Sequence, residues 1–367
     1  MRSIPKELIF NGKYHSSDEL RKLATDLALP GKADWEQELG NFLFQWLDDK
    51  DFIQVKTSGS TGVPKIIKLS KKSMLTSASM TGSYLGLKEN QTALLCLRAG
   101  YIAGMMMVVR AMALRMNLIT AAPFGSPLDD LPDSQPVDFA AMVPAQVYNS
   151  LKTNESKRKL ESIGTLIIGG AALSTAVEQL ISHLNGKIYA TFGMTETITH
   201  IALRRLNGRE RSEVYTVLPG ISIATDERGC LLARVPYLEG TEVITNDLVS
   251  IESPSTFRWL GRSDYVINCG GIKLIPEEIE RKIAPFISKR FIIASLPDAK
   301  SGEVPVLLLE SADPINQPEK NQILNAIKPT LSNSEMPRQV LRVSHFSETE
   351  NGKIDRRGSL KEVRSEL

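Results

Sequence analysis

Cysteine is scarce in this sequence: Cys96, Cys230 and Cys269 are the three among 367 residues. They are odd in number, widely spaced and without a CxxC pair, which argues against a disulfide framework or a cysteine zinc site and predicts a reducing, cytoplasmic setting. Histidine is almost as rare, and His15, His183, His200 and His345 show no metal-ligand spacing. An excess of one charge is also missing. Lys and Arg number 44 against 42 Asp and Glu, a net charge of +2, so no nucleic-acid partner is expected. Short basic runs at Lys157, Arg158 and Lys159, and around Arg204, Arg205, Arg209 and Arg211, read as solvated charge or as contacts to an anionic ligand. The longest apolar run, Ile102 to Val109, is far short of the ~20 residues a membrane helix needs. The first residues carry no apolar segment of signal-peptide length, so no membrane partner is expected.

What is present suits a packed core: 42% hydrophobic and 23% charged residues, over a length that allows two or three domains. Apolar residues at three- and four-residue spacing predict helix over about 17–47, with Leu39, Phe42, Leu43 and Trp46 on one side. Strands are predicted at 52–56 and 65–69, followed by a helix capped by Ser70 and running to about Gly86. Short apolar runs at 93–97, 117–120, 139–143, 165–168 and 187–191 alternate with helical stretches. Unbroken apolar strands between helices indicate a sheet covered on both faces, hence an α/β fold. Beyond Val214 the shorter runs 221–224, 229–234 and 249–252 read as a small β subdomain. An α+β unit begins near Asp264, with strands at 265–268, 291–295 and 304–309 and helices at 276–284 and 318–331. The expected division is 1–261, a hinge at 262–264, and 265–367.

The most informative stretch is Thr57-Ser58-Gly59-Ser60-Thr61-Gly62-Val63-Pro64-Lys65. Glycines let backbone N–H groups approach a phosphate, hydroxyls add donors, and Lys65 adds positive charge. A Walker A loop is excluded. Pro64 stands where that motif has its second glycine, Ile66 where it has the Mg²⁺-binding hydroxyl, and a strand follows where a helix belongs. The stretch resembles the phosphate loop of the adenylate-forming family, which includes acyl-CoA synthetases, peptide-synthetase adenylation domains and luciferases.

Five further elements are similar to that family in order and spacing. Gly169-Gly170-Ala171 resembles the turn against the adenine. Phe192-Gly193-Met194-Thr195-Glu196-Thr197 resembles the aromatic-Gly-x-Thr-Glu element: Phe192 to stack on adenine, Gly193 to allow close approach, Met194 beside it at the nucleotide, Thr195 to donate to the α-phosphate, Glu196 to hold Mg²⁺. Asp247 resembles the ribose-binding aspartate, with Asn246 where many relatives have glycine. Gly261-Arg262-Ser263-Asp264, followed by Gly270-Gly271 and Pro276-Glu277-Glu278, resembles the inter-domain signature. It implies Arg262 at the ribose or phosphate, Asp264 as the hinge of a mobile C-terminal domain, and Gly270 and Gly271 at the coenzyme A tunnel. Glu350-Asn351-Gly352-Lys353 resembles the tail whose lysine, here Lys353, catalyses adenylation by neutralising developing charge.

The resemblance implies ATP, Mg²⁺ and coenzyme A, a carboxylic acid as substrate, and a monomer or homodimer. Two departures bear on the acid. Tyr101 stands where many relatives have the histidine of a His-x-x-Gly element, and 56 residues precede the phosphate loop where most have many more. The shortness resembles compact o-succinylbenzoate–CoA ligases. Arg98, Thr199 and Arg204 are candidates to meet such a substrate's second carboxylate. Other readings are a ligase for another aryl or short acyl acid, an adenylation domain loading a carrier protein, and a regulator that binds nucleotide without turnover.

Overall fold

The structure, a computed structural model, describes residues 3–56, 66–238, 240–348 and 354–364. The fold is mixed α/β. The chain divides into two compact units, one of Met1–Leu173, Val177–Ser222 and Arg234–Val243, the other of Ser174–Ala176, Ile223–Ala233 and Ile244–Leu367.

The first unit is built on strands β1 (Leu8–Phe10), β2 (Lys13–His15), β3 (Phe52–Lys56), β4 (Ile66–Ser70), β5 (Thr92–Leu95), β6 (Asn117–Thr120), β7 (Phe139–Met142), β8 (Thr165–Ile168), β9 (Lys187–Gly193), β10 (His200–Arg205) and β11 (Tyr215–Val217). Nine of them lie in the order β11-β10-β9-β8-β7-β5-β6-β1-β2. From β1 through β6, β5, β7 and β8 to β9 the neighbours are parallel, and β5, β7 and β8 are buried throughout. Parallel neighbours need crossovers, and helices supply them, so both faces are covered and the strands read as unbroken apolar runs. β10 returns antiparallel to β9. β3 and β4 form a separate antiparallel ribbon ending in the pair Lys56↔Ile66, on either side of the phosphate-loop segment.

The helix expected over 17–47 is two helices, α1 (Ser17–Leu27) and α2 (Asp34–Leu47), broken near Pro30 and Gly31, where Gly31 takes φ 96°. The apolar stripe continues across the break because the helices pack on each other. A Cβ on Gly40 would lie 2.7 Å from the Ala24 carbonyl oxygen. Ser70 caps α3 (Lys71–Leu85) through the Ser73 amide, and Gly86 ends it at φ 70°. Next comes α4 (Ile102–Leu114), whose sequence IAGMMMVVRAMAL is apolar nearly all round because nearly all of it is buried.

Strands Cys230–Arg234, Glu242–Ser253 and Thr256–Arg262 lie side by side and, apart from Arg234, Glu242 and Val243, belong to the second unit. A further sheet runs Ile272–Leu274, Ile267–Cys269, Gly302–Glu310, Phe291–Asp298, with Val340–Val343 added parallel to Gly302–Glu310. Leu307 and Leu309 face one core with Ile279, Ile283 and Ile327, while Val306 and Leu308 face another with Phe346 and Val363. This two-residue alternation buries both faces of Gly302–Glu310.

Candidate active site

The phosphate-loop residues Thr57, Ser58, Gly59, Ser60, Thr61, Gly62 and Lys65 lie outside the described residues, and so does Lys353. The other candidates fall into two groups, one in each unit.

In the first unit the parallel strands end in turns that tolerate almost no side chain. A Cβ on Gly169, just after β8, would lie 2.1 Å from Thr191 Oγ1, and Gly170 has φ 84°. A Cβ on Gly193 would lie 2.5 Å from His200 Cα and from the Thr199 carbonyl oxygen, so glycine is required where β9 meets the turn into β10. Between them, Thr195, Glu196 and Thr197 form one 3₁₀ turn, stapled by the Met194 amide donating to Thr197 Oγ1 at 3.0 Å. Ile198 follows at φ 68°, a β-branched residue in the left-handed region. Such backbone costs about 1–3 kcal/mol and persists where the surroundings dictate it. Tyr237 O–H supports the turn by donating to the Thr197 carbonyl at 3.1 Å. Phe192 stacks edge-on against Tyr215 with ring centroids 5.8 Å apart. Glu196 is exposed, and a lone carboxylate of this kind suits Mg²⁺, which keeps most of its ligands as phosphate and water. No cluster of three or more metal-ligating side chains occurs among the described residues.

In the second unit, Asp247 and Arg262 face each other across an antiparallel pair. Arg262 NH1 lies 3.4 Å from Asp247 Oδ2, its NH2 is 2.5 Å from Asp264 Oδ2, and Trp259 Nε1 donates to Asp247 Oδ1 at 2.9 Å. Burial works against the Arg262 charge, but the two carboxylates outweigh it and hold its pKa above the usual range. Asn246 donates to Asp264 Oδ1 at 3.2 Å, which gives the asparagine a task glycine lacks. Gly270 and Gly271, at φ 58° and 86°, form the exposed two-residue hairpin between Cys269 and Ile272. Two successive positive φ values are the type I′ requirement that glycine meets without strain.

Among the residues proposed for the acid, Tyr101 is the N-cap residue of α4. A Cβ on Gly104 would fall 2.2 Å from the Arg98 carbonyl oxygen, so this turn needs its glycine. Arg98 is closed by Glu38, with Nε donating to Oε1 at 3.0 Å. Arg204 is closed by Glu178, which overcomes burial and raises the guanidinium pKa. Neither arginine lacks a counter-ion. Thr199 instead accepts from a residue the sequence reading passed over: Arg110 NH2 donates to Thr199 Oγ1 at 2.7 Å. Arg110 is 2% exposed, has no carboxylate partner among the described residues, and its Nε has no hydrogen-bond partner there. Burial pushes its pKa down to about 10. The signal in the sequence is a single charge inside the apolar run of α4.

A family model described as AMP-binding enzyme matches residues 31–234, more than half of the chain. This chain belongs to the AMP-binding enzyme family. Its similarity to an acyl-CoA synthetase (AMP-forming)/AMP-acid ligase II-like protein from Dyadobacter fermentans reaches 36% identity over 94% of this chain and 98% of that one, with a TM-score of 0.61. The 2-succinylbenzoate–CoA ligase of Listeria monocytogenes serotype 4b is 24% identical, across 94% of this chain and 77% of that protein. The fold is shared with o-succinylbenzoate CoA synthetase from Bacillus subtilis, solved with its acyl-adenylate intermediate, at 14% identity over 96% and 95% of the two chains and a TM-score of 0.74. In family terms this is an AMP-forming acid–CoA ligase fold. The AMP-binding enzyme match contains the phosphate loop, Arg110 and the β9–β10 turn, whereas Asp247, Arg262 and Lys353 lie beyond it.

Proposed function

We propose that this AMP-binding enzyme joins to coenzyme A an acid bearing a second carboxylate, with o-succinylbenzoate as the favoured substrate. The observation that carries the reading is Arg110, a buried guanidinium with no carboxylate facing it among the described residues. Burying a cation without a counter-charge is costly, and a guanidinium presents a fork that matches a carboxylate. A substrate carboxylate would supply the missing anion. The name carried by the Listeria relative points the same way.

In this reading MgATP is bound as substrate. The loop hydroxyls and Lys65 hold its phosphates, Thr195 meets the α-phosphate, Glu196 faces the Mg²⁺ that ATP brings, and Asp247 accepts from the ribose hydroxyls. An oxygen of the substrate carboxylate attacks the α-phosphorus, pyrophosphate leaves, and Lys353 neutralises charge on the phosphate as it forms. Thiol attack on the acyl carbon then breaks the mixed anhydride and releases AMP. Asp264 is the proposed pivot between the two steps, and Gly270 and Gly271 line the path of the thiol. Enclosure of the adenylate keeps water from hydrolysing it.

The test compares o-succinylbenzoate with the same aryl keto acid lacking its ring carboxylate, in wild type and Arg110→Met. The reading expects kcat/KM for the diacid to exceed that for the monoacid at least tenfold, and the substitution to erase the gap. Equal use of both acids by wild type would leave the ligase activity standing and remove the diacid assignment. Thioester formation on a carrier protein in preference to free CoA would move the enzyme to carrier loading.

A further inference from the structure

The side chains behind Arg110 form a chain of hydrogen bonds to which the Thr81–Ser77 contact assigns a direction. His200 is 4% exposed, with Nε2 3.1 Å from Thr81 Oγ1 and Nδ1 3.3 Å from Thr199 Oγ1. Thr81 Oγ1 also lies 3.1 Å from the Ser77 carbonyl, which can only accept. With the single Thr81 hydroxyl hydrogen donated there, Thr81 oxygen accepts from His200 Nε2–H. Nδ1 of the neutral ring is then bare and accepts from the Thr199 hydroxyl. That turns the Thr199 lone pairs toward Arg110, whose NH2 donates at 2.7 Å. Burial, reinforced by the Arg110 charge, holds the His200 pKa well below its ordinary value, so the ring stays neutral and the order of donors holds.

Without this order the contact weakens. A Thr199 hydroxyl lacking His200 as acceptor would be free to rotate its hydrogen toward the guanidinium. The other Arg110 contacts cannot replace it: NH1 lies 3.7 Å from Met107 Sδ, a weak acceptor, and Nε has no partner among the described residues.

We infer that His200 is a positioning residue for substrate choice: acting through Thr199, it fixes the orientation in which Arg110 meets the acid's second carboxylate. This rests on the diacid reading above and adds to it a residue that touches no substrate. Recognition of a second carboxylate then depends on a histidine tautomer.

The experiment measures kcat/KM for the diacid and for the matched monoacid, with KM for ATP, in wild type, His200→Leu, His200→Gln and Arg110→Met. His200→Leu removes the acceptor, and a weakened charge-assisted contact predicts a loss of about tenfold for the diacid, expressed in KM rather than kcat, with KM for ATP unmoved. His200→Gln offers both an acceptor and a donor and restores most of the loss. In ¹⁵N spectra of the wild type, with only four histidines to assign, His200 stays in the neutral Nε2–H form at pH values where an exposed histidine titrates. Equal losses for both acids in His200→Leu, or an Nδ1–H tautomer, would overturn the inference while the diacid reading stands. A diacid preference that survives Arg110→Met would overturn both.

Discussion

Arg262 stands opposite Asp247 across an antiparallel strand pair and reaches its Oδ2 at 3.4 Å, while Trp259 holds Oδ1 at 2.9 Å. A carboxylate held at both oxygens keeps one orientation, which suits the proposed role of accepting from the ribose hydroxyls. Asp247→Ala is expected to raise KM for ATP about tenfold or more, since each hydrogen bond to a charged group is worth roughly 1.5–3 kcal/mol. Arg262→Ala leaves Asp247 and Asp264 without their shared cation and should raise the same KM. Initial-rate pyrophosphate assays at varied ATP read both effects. An unchanged KM for ATP in Asp247→Ala would remove this residue from the nucleotide site.

The ion pair with Glu178 predicts that Arg204 serves the structure rather than the acid. Its side chain is 10% exposed and that of Glu178 17%, so deleting one partner strands the other in low dielectric. Arg204→Met should cost about 3 kcal/mol or more, and the double variant with Glu178→Leu should recover much of it. Urea unfolding measures both, through a shifted midpoint at constant slope. A stable Arg204→Met protein with weakened acid binding would return Arg204 to the substrate.

Glu277 makes stability depend on pH. It is 7% exposed, its Oε2 has no partner among the described residues, and a Cβ on Gly261 would lie 2.4 Å from that oxygen. Burial pushes its pKa from an ordinary 4.5 up to about 7, against the pull of Arg356, whose NH2 lies 3.5 Å from Oε1. The native state therefore holds this proton where the unfolded chain has lost it. The stabilisation is complete below about pH 4.5 and disappears as pH rises to about 7, a change of about 3 kcal/mol in all. Denaturant unfolding across that range should show the decline, and Glu277→Gln should flatten it. A wild-type profile that rises from pH 4.5 to 7 and is unaffected by Glu277→Gln would contradict it.

Much of the fold was legible because buried parallel strands must be apolar throughout, as Thr165–Ile168 and Phe139–Met142 are. The N-terminal hairpin β1–β2 escaped notice because three-residue strands have too little length for a period to show. The break between α1 and α2 was hidden because both helices turn the same stripe to one core. At the site, the glycine-bearing turns stood out because close approach of backbones leaves glycine no substitute, as at Gly193 and Gly104. Ion pairing did not stand out. Nothing in the order of residues says that Glu38 closes Arg98 or that Glu178 closes Arg204, partners 60 and 26 positions away. Arg110 is the readable exception, a lone charge in an apolar helix, one position beyond the run Ile102 to Val109.

The proposed reaction is acid activation by ATP followed by transfer to coenzyme A. The most direct measurement is pyrophosphate release from MgATP with a panel of carboxylic acids, with and without CoA, in wild type and Lys353→Ala. The prediction is release with o-succinylbenzoate, sustained turnover only when CoA is present, and loss of release in Lys353→Ala with ATP binding retained. ATP binding without pyrophosphate release for any acid in the wild type would contradict it and leave a nucleotide-binding protein without ligase activity.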